Sequence, residues 1–557
     1  IGIGTITKSG TGTWTLSGAS TYTGATAISV GTVKIGANNA GISNSSAVTV
    51  TSTLDLNGFN ATIGSLAGAG TITSSQAGSV SLTTGGNNTS TTFSGVIQDG
   101  SGTLNLVKAG TLIFTLSGLS TYTGLTTINS GTIALGAVGN GTNSPLGTIA
   151  GGTTVNTGAV LNVNGFTLST SEPLALNGTG IAAAGALING SATLSADYSG
   201  LITLESASSI VATTAARNLN ITNPGTIAGS GFGLTLGGAG NGTISSIIGT
   251  GAGTLTKIGT GIWTLSADNE FTGLTTITAG TLRLGTAGNA TNGPLGTVAN
   301  GVNITAGALD LNGFTLATAE AITIRGTGIS AAGALTNSSA TAVDYSGLVT
   351  IGAISTIATN AGDINLTHTG TITGAFALTL GGAGNGSIAS IIGIGIGTIT
   401  KAGTGTWTLS GASTYTGATT ISAGTLKVGA NNAGISNSSA VTVTSTLDLN
   451  GFNATIGSLA GAGTVTSSQA GSLTLTTGGN NTSTTFSGII QNGSGTLNLV
   501  KAGTLIFTLS GLSTYTGSTT INAGTINLGA AGDGTNSPLG TIAGGTTVNT
   551  GAVLNVN

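Results

Sequence analysis

The stretch that decides the fold is KAGTGTWTLSGASTYTGATTISAGTLKVG, which occupies residues 401–429. Its apolar residues alternate with Thr and Ser, and Gly interrupts the chain every few residues. Alternation with a period of two is typical of short β-strands, and clustered Gly, Asn and Ser are typical of turns. The sequence therefore predicts a chain that is almost entirely β.

The stretch occurs five times along the chain. The copies occupy residues 8–36, 108–136, 257–285, 401–429 and 501–529. On a larger scale, residues 1–164 align with residues 394–557 without a gap, at an offset of 393 and with 15 differences. We interpret this as a super-repeat of 393 residues, with one copy at 1–393 and a second begun at 394. Because both ends fall inside a unit, we expect a segment of a longer repetitive protein.

The pattern favours a stacked solenoid over a row of sandwich domains. A sandwich needs its own boundaries and long-range pairing about every 100 residues, whereas the strands here are short and turns recur uniformly. In a parallel β-helix each coil stacks on the preceding one, and inward positions form ladders of like residues. We therefore expect one continuous solenoid rod over 1–557, with Val, Ile and Leu inside and Thr and Ser facing solvent.

Composition excludes several classes of protein. The 557 residues include 10 Lys and Arg, 13 Asp and Glu, one His and no Cys, and the formal net charge is −3. So few cations give no basic surface for nucleic acid or for anionic lipid. The absence of Cys excludes disulfides and thiolate metal sites. Thr, Ser and Gly interrupt every apolar run, so no membrane-spanning segment is predicted.

Few residues could support catalysis. Asp268 and Glu270 form the one local pair of acids, but the other copies carry Ser or Thr there, and we interpret the pair as a solvated turn. Asp197 and Asp344 lie in a repeated Asp-Tyr-Ser-Gly, which we interpret as an Asx-type turn with a stacked Tyr. His368 has no acid or activated Ser nearby in sequence and is predicted to be a surface residue.

A Gly-rich segment, 237–242, has only a superficial likeness to ligand-binding loops. It lacks the Lys-Ser/Thr of a phosphate loop and the Asp of a calcium-binding repeat, so we predict a turn. The chain is accordingly predicted to have no catalytic residue, no cofactor and no metal site, and not to be an enzyme.

Aromatic residues recur at two positions of the repeated stretch. Aromatic rings at such positions can stack on sugars, but we interpret them as structural residues at a bend or inside the coil. The first position holds Trp14, Phe114, Trp263, Trp407 and Phe507, and the second holds Tyr22, Tyr122, Phe271, Tyr415 and Tyr515.

Residues 403–430, GTGTWTLSGASTYTGATTISAGTLKVGA, resemble the autotransporter-associated β-strand repeat. The block LDLNGF at 447–452 and the following IGSL at 456–459 are similar to the segment that follows this repeat in such proteins. One departure is that the Asn of the family pattern is Ser in most copies, as at Ser413. The resemblance implies a right-handed β-solenoid in the passenger of a bacterial secreted or surface protein, and a scaffold or adhesin role without a shared active site.

These observations give the expected function. We expect an extracellular or cell-surface segment that forms the shaft of a filament or adhesin and serves in a matrix or in attachment. The expected partners are further copies of the same repeat, assembled into fibres, and surface glycans. The alternative is a ligand-binding solenoid that presents Thr-rich faces to a polysaccharide or to ice.

Overall fold

A computed structural model describes residues 2–299 and 301–556 of the chain. Its contacts divide the chain into two compact units, one comprising Ile1–Thr276 with Pro294–Thr297 and the other Ile277–Gly293 with Val298–Asn557. Both units are built from short parallel β-strands, which confirms the predicted all-β solenoid. The helices among the described residues are two single-turn 3-10 helices, Ile181–Ala183 and Ile329–Ala331. The single continuous solenoid and its 393-residue super-repeat stay predictions.

In the first unit, strands from successive coils pair into several parallel series. One series contains Ile6–Lys8, Thr26–Ile28, Ala47–Val50 and Ser65–Ala67. A second contains Thr13–Leu16, Thr32–Ile35, Thr53–Asp55, Thr71–Ser74 and Val96–Gly100. A third contains Ala61–Thr62, Ser79–Thr84, Thr103–Lys108, Thr126–Ile128, Thr153–Val155, Leu174–Leu176, Ile202–Leu204, Thr226–Gly229 and Ile247–Gly249. The remaining parallel strands are Thr91–Phe93, Ile113–Leu116, Gly131–Leu135, Ala159–Asn162, Leu187–Asn189, Ala196–Tyr198, Ser208–Ala212, Leu219–Ile221, Leu234–Gly237, Gly242–Ile244, Leu255–Lys257 and Ile262–Leu265.

The second unit has the same construction. One series contains Val343–Tyr345, Ile364–Leu366, Gly386–Ile388, Thr406–Leu409, Thr425–Val428, Thr446–Asp448, Thr464–Thr466 and Ile489–Ile490. A second contains Ala454–Thr455, Ser472–Thr477, Thr496–Lys501, Thr519–Ile521 and Thr546–Val548, and a third Thr484–Phe486, Ile506–Leu509, Gly524–Leu528 and Ala552–Val556. The remaining parallel strands are Thr281–Leu284, Val302–Ile304, Ala308–Asp310, Ile322–Gly326, Leu335–Thr336, Val349–Thr359, Thr371–Gly374, Leu378–Gly382, Ile391–Gly393, Ile399–Lys401, Thr419–Ile421, Ala440–Val443 and Ser458–Ala460.

Three features lie outside these parallel series. The strand Thr275–Ile277 contains the boundary between the units. Two small antiparallel hairpins pair Asn143–Ser144 with Gly147–Thr148 and Asn536–Ser537 with Gly540–Thr541. The hairpins surround the Pro-Leu-Gly turns at Pro145 and Pro538, and both of these prolines are buried.

Aliphatic ladders form the core. In the first unit Val33, Leu54, Ile72 and Ile97 are consecutive register partners in parallel strands, and each is at most 1% exposed. Because side chains alternate between the two faces of a strand, their neighbours along the chain point outward. Each coil thus buries its apolar side chains against the same positions of the coils above and below, as the sequence predicts.

Threonine and serine do not simply face solvent, which corrects one expectation. Thr26, Thr126, Thr419 and Thr519 are at most 1% exposed. Each hydroxyl contacts the hydroxyl of the Tyr four residues earlier, at 2.5–2.7 Å. A buried Tyr hydroxyl needs a hydrogen-bond partner, and Thr supplies it without leaving the strand conformation.

The Lys that opens each repeated stretch is buried, although Lys is almost never fully buried unless it is paired. The five residues Lys8, Lys108, Lys257, Lys401 and Lys501 are at most 2% exposed. The ammonium of Lys401 donates to the carbonyls of Ala402 and Gly403 at 2.8 Å and to that of Ala423, one coil further, at 3.1 Å. Burial lowers the pKa of Lys401 to about 8. This lysine therefore joins two consecutive coils.

We predict that Lys401→Met opens the coils that this lysine joins. Removing the ammonium takes the donor from three carbonyls in half-buried turns of two coils. An unsatisfied group costs about 1–3 kcal/mol when it is fully buried, and less here. Hydrogen–deuterium exchange should rise sharply over 399–428. As a control, Thr400→Val changes the adjacent outward-facing residue, and its effect should stay within about 0.5 kcal/mol. Equal hydrogen-exchange protection over 399–428 in the two variants would contradict the role of Lys401 in joining the coils.

Candidate functional site

The aromatic positions of the repeated stretch lie mostly in the core. Nine of the ten side chains are at most 3% exposed, and Trp14, in the first described coil, is 46% exposed. A buried ring offers no face to a sugar. The nine rings therefore act as core residues in this structure, and the indole nitrogens of Trp263 and Trp407 donate to the carbonyls of Gly237 and Gly381.

The Gly-rich segment 237–242 has a specific packing role that sequence reasoning missed. Gly237 ends one strand and Gly242 begins the next, so only the residues between them form the predicted turn. Gly242 is the register partner of Trp263, and a Cβ there would lie 2.5 Å from the indole. The equivalent Gly386 faces Trp407 at 2.8 Å. The glycines make room for the indole of the next coil.

Where the repeated stretch carries Phe, the facing residue changes accordingly. Phe114 is the register partner of Thr91, and Phe507 is the register partner of Thr484. A smaller ring thus meets a larger partner, which keeps the packed volume similar. The sequence alone does not reveal this matching of ring and partner, because it depends on which residues of neighbouring coils lie in register.

The acidic pair of the sequence does not form a paired-carboxylate site. Asp268 and Glu270 lie in a loop with Glu270 exposed, and the residue between them, Asn269, is buried. Asn269 accepts from the Ile248 nitrogen at 2.7 Å and donates to the Pro294 carbonyl at 2.6 Å. The side-chain amide of Asn269 therefore has the structural role here, because it joins three consecutive coils of the first unit.

Two further sequence interpretations are changed by the structure. Asp197 and Asp344 lie in strands, so the predicted Asx-type turn is wrong. Each accepts a hydrogen bond from an Asn in register on the next coil, Asn220 at 2.8 Å and Asn365 at 2.9 Å. His368 is half-buried, and its Nδ1 accepts from the Gly370 nitrogen at 2.8 Å, which makes it part of a local turn.

A cation and a carboxylate occupy register-paired positions in three copies of the repeat. Lys34 pairs with Asp55 at 3.2 Å, and Lys427 pairs with Asp448 at 3.3 Å. Arg283 pairs with Asp310 at 2.8 Å. Burial raises the pKa of Asp448, but hydrogen bonds from Ser468 and Asn450 and the charge of Lys427 outweigh it and hold the pKa below its usual value. The carboxylate therefore stays ionised beside its cation.

The other two copies are neutral at the same pair of positions. Ala134 faces Asn162, and Asn527 faces Asn555, whose amide donates to Asn527 at 3.0 Å. Thus the cation is absent wherever the acid is replaced by an amide. Coil stacking explains this, because a partly buried charge without its partner is destabilising.

We predict that Asp310→Asn weakens the coil contact around Arg283 by about 1 kcal/mol. The double variant Arg283→Asn with Asp310→Asn reproduces the natural Asn527–Asn555 pair and should recover most of the loss. Local hydrogen–deuterium exchange over 281–284 and 308–310 measures both. Additive losses in the double variant would show that the two side chains do not act as a pair.

Two glutamates are buried at equivalent positions. Glu172 accepts hydrogen bonds from the hydroxyls of Ser144 at 3.3 Å and Thr153 at 2.5 Å. The carboxyl oxygens of Glu320 have no hydrogen-bond partner among the described residues, because Gly293 and Val302 stand where the first copy has Ser144 and Thr153. Burial raises the pKa of Glu172 to about 8 and that of Glu320 to about 7.

The raised pKa values of these two glutamates predict that local stability falls as the pH rises. A folded-state pKa above the unfolded value of about 4.5 means that stability is fully present below about pH 4.5 and is lost as the pH passes about 7 at Glu320. After correction for intrinsic exchange, protection over 322–326 should decrease from pH 5 to 8 and become flat in Glu320→Gln. Glu205→Gln, at an exposed position, is the control, and a flat wild-type profile would contradict the prediction.

No group of three or more His, Cys, Asp or Glu that could hold a metal ion occurs within 2–299 and 301–556. In the same part of the chain, no helix is long and apolar enough to cross a membrane. What the fold does present outward are rows of hydroxyls, such as the half-buried register ladder Thr379, Thr400, Thr420 and Thr442.

Together these features define a repetitive β-solenoid segment whose polar side chains mainly join one coil to the next. The Passenger-associated-transport-repeat family matches residues 6–35, 96–135, 255–284, 399–428 and 489–528. Each match overlaps one copy of the repeated stretch. These five stretches are therefore similar to the passenger-associated repeat, which confirms the predicted resemblance.

One curated relative extends this resemblance over most of the chain. The chain is 29% identical over 560 residues to the adhesin BmaC autotransporter of Brucella suis biovar 1 (strain 1330). The alignment covers 80% of this chain and 16% of the relative, so the chain spans about one sixth of that protein's length. No solved structure matches the chain.

Proposed function

We propose that the chain is a non-enzymatic segment of a large bacterial adhesin, secreted or displayed on the cell surface, and that it forms part of the shaft that carries adhesive regions away from the cell. The observation that carries the proposal is the alignment of 80% of the chain with a small part of an adhesin autotransporter. Near-identical coils far apart in sequence are consistent with a protein in which the repeats serve to extend the molecule.

The surface supports this role. Charged residues are 4% of the chain, and three of the cations that the structure describes at the surface are paired with aspartates. A hydroxyl-rich surface with little net charge offers little repulsion between neighbouring molecules. We therefore also propose that copies of the repeat associate into fibres in an extracellular matrix or in attachment.

A deletion inside the chain tests the shaft. Removing residues 9–401 joins Lys8 to Ala402, and because Lys8 and Lys401 are equivalent, the coil sequence continues without a break. In the parent protein on bacteria, we expect normal surface display and a shorter extension from the cell by electron microscopy. As a control of similar size, deletion of residues 9–411 joins Lys8 to Ala412, breaks the register and should impair display.

An attachment assay distinguishes a shaft function of this chain from an adhesive function. Beads coated with the purified chain should not attach to host-cell surfaces, and bacteria with the in-register deletion should keep the ligand specificity of the parent protein. Attachment of the beads by themselves would contradict the shaft function and assign adhesion to this segment.

The threonine ladder favours a second candidate, a face that binds a polysaccharide. Thr379, Thr400, Thr420 and Thr442 repeat their hydroxyls at the spacing of the coils, about 4.8 Å. If this face binds, the double variant Thr400→Val with Thr420→Val should lose retention on the polysaccharide column that retains the wild-type chain. Unchanged retention would leave the ladder without a binding role.

A further inference from the structure

Asparagine followed by glycine occurs repeatedly in this chain, and the structure distinguishes one such pair from the others. Glycine has no side chain to shield its own nitrogen, so the preceding Asn side chain is open to attack by that nitrogen. Among the Asn-Gly pairs that the structure describes, Asn140–Gly141 is the one in which both residues are exposed. The pair lies in the loop before the hairpin Asn143–Ser144 with Gly147–Thr148.

The geometry at Asn140 favours attack on its side chain. Its Oδ1 accepts from the backbone nitrogens of Thr142 at 3.1 Å and Asn143 at 2.8 Å. These two donors would stabilise negative charge on Oδ1 as the side-chain carbon becomes tetrahedral. Within the described residues, neither the nitrogen of Gly141 nor Nδ2 of Asn140 has a hydrogen-bond partner, so nucleophile and leaving group are both unrestrained.

Equivalent groups are restrained in the repeated Leu-Asn-Gly-Phe segments. Nδ2 of Asn57 donates to the Ile35 carbonyl at 3.0 Å, and the nitrogen of Gly58 donates to Ser74 at 3.0 Å. The same two bonds recur at Asn450 and Gly451. Attack there would break both hydrogen bonds in a half-buried turn.

The chain itself contains the product of this reaction at an equivalent position. Asp533 stands 393 residues after Asn140 and accepts from Thr535 at 2.9 Å and Asn536 at 2.7 Å, the same two donors. These backbone N–H groups hold the pKa of Asp533 below its usual value. An aspartate therefore fits this turn in its ionised form.

We propose that Asn140 is a site of spontaneous deamidation, which converts the first copy of this turn to the form encoded in the second. The Gly141 nitrogen attacks Cγ of Asn140, the Cγ–Nδ2 bond breaks, and ammonia leaves with the proton from Gly141. Water then opens the cyclic imide, giving aspartate or isoaspartate. Each event adds one negative charge to a chain that carries only 23 charged side chains of Lys, Arg, Asp and Glu. A long-lived surface protein would accumulate this charge.

Peptide mapping by mass spectrometry tests the proposal on the purified full chain. During incubation at neutral pH and 37 °C, Asn140 should convert about tenfold faster than Asn57 and Asn450, because two hydrogen bonds need not be broken. The cyclic imide should be detectable, and products should include isoaspartate. Conversion of Asn57 or Asn450 at the rate of Asn140, or an intact Asn140, would overturn the proposal.

The copy of the turn at Asn289 supplies a matched control. Asn289 accepts from Asn292 at 2.9 Å as Asn140 does from Asn143, but it is followed by Ala290. Ala290→Gly should accelerate conversion of Asn289 towards the rate of Asn140, without a change at Asn140 itself. Asn140→Asp, the encoded product, should keep the hydrogen-exchange protection of the hairpin. No acceleration in Ala290→Gly would show that the reaction does not depend on the following residue.

Discussion

The in-register parallel stacking of one coil on the next is the constraint on which the rest of this structure depends. It sets residues 18 to 29 positions apart directly over one another, as with Thr53 and Thr71 or Gly326 and Ser355. Apolar side chains thereby form continuous inward ladders, while polar groups that turn inward must find partners on a neighbouring coil. The Lys ammonium, the Tyr–Thr hydroxyl pairs and the buried Asn269 all meet this requirement.

Stacking also explains how the copies of the repeat differ. Tryptophan lies over glycine and phenylalanine over threonine, and a cation lies over aspartate whereas Ala or Asn lies over asparagine. In each case a different residue on one coil is accompanied by a complementary residue on the neighbouring coil. The residues at register-paired positions therefore vary together. Glu320 is an exception, since both hydroxyl donors of its counterpart Glu172 are absent around it. The raised pKa has a different cause, because burial raises the pKa of both glutamates, to about 8 at Glu172 and to about 7 at Glu320.

Much of the fold was predictable from sequence because its signals are local. The period of two, the turn residues and the exact repeats indicated parallel coils, and the apolar ladder of Val33, Leu54 and Ile72 follows from them. The roles of Lys401, Thr419 and Gly386 were not predictable, since each depends on which residue lies one coil away. The Asp197 and Asp344 turn was mispredicted for the same reason: their Asn partners are more than 20 residues distant.

The most direct test of this account is a pair of cysteines placed in the predicted register, which is simple to interpret because the chain has no cysteine. Thr400 and Thr420 are register partners on adjacent coils, and Thr442 lies one coil further. Disulfides need Cα atoms about 4.4–6.8 Å apart, whereas two coil spacings are about 9.6 Å. The account predicts rapid crosslinking of Thr400→Cys with Thr420→Cys and none of Thr400→Cys with Thr442→Cys. The reverse pattern, or no crosslink in either, would contradict the coil stacking on which the fold and the contacts between coils depend.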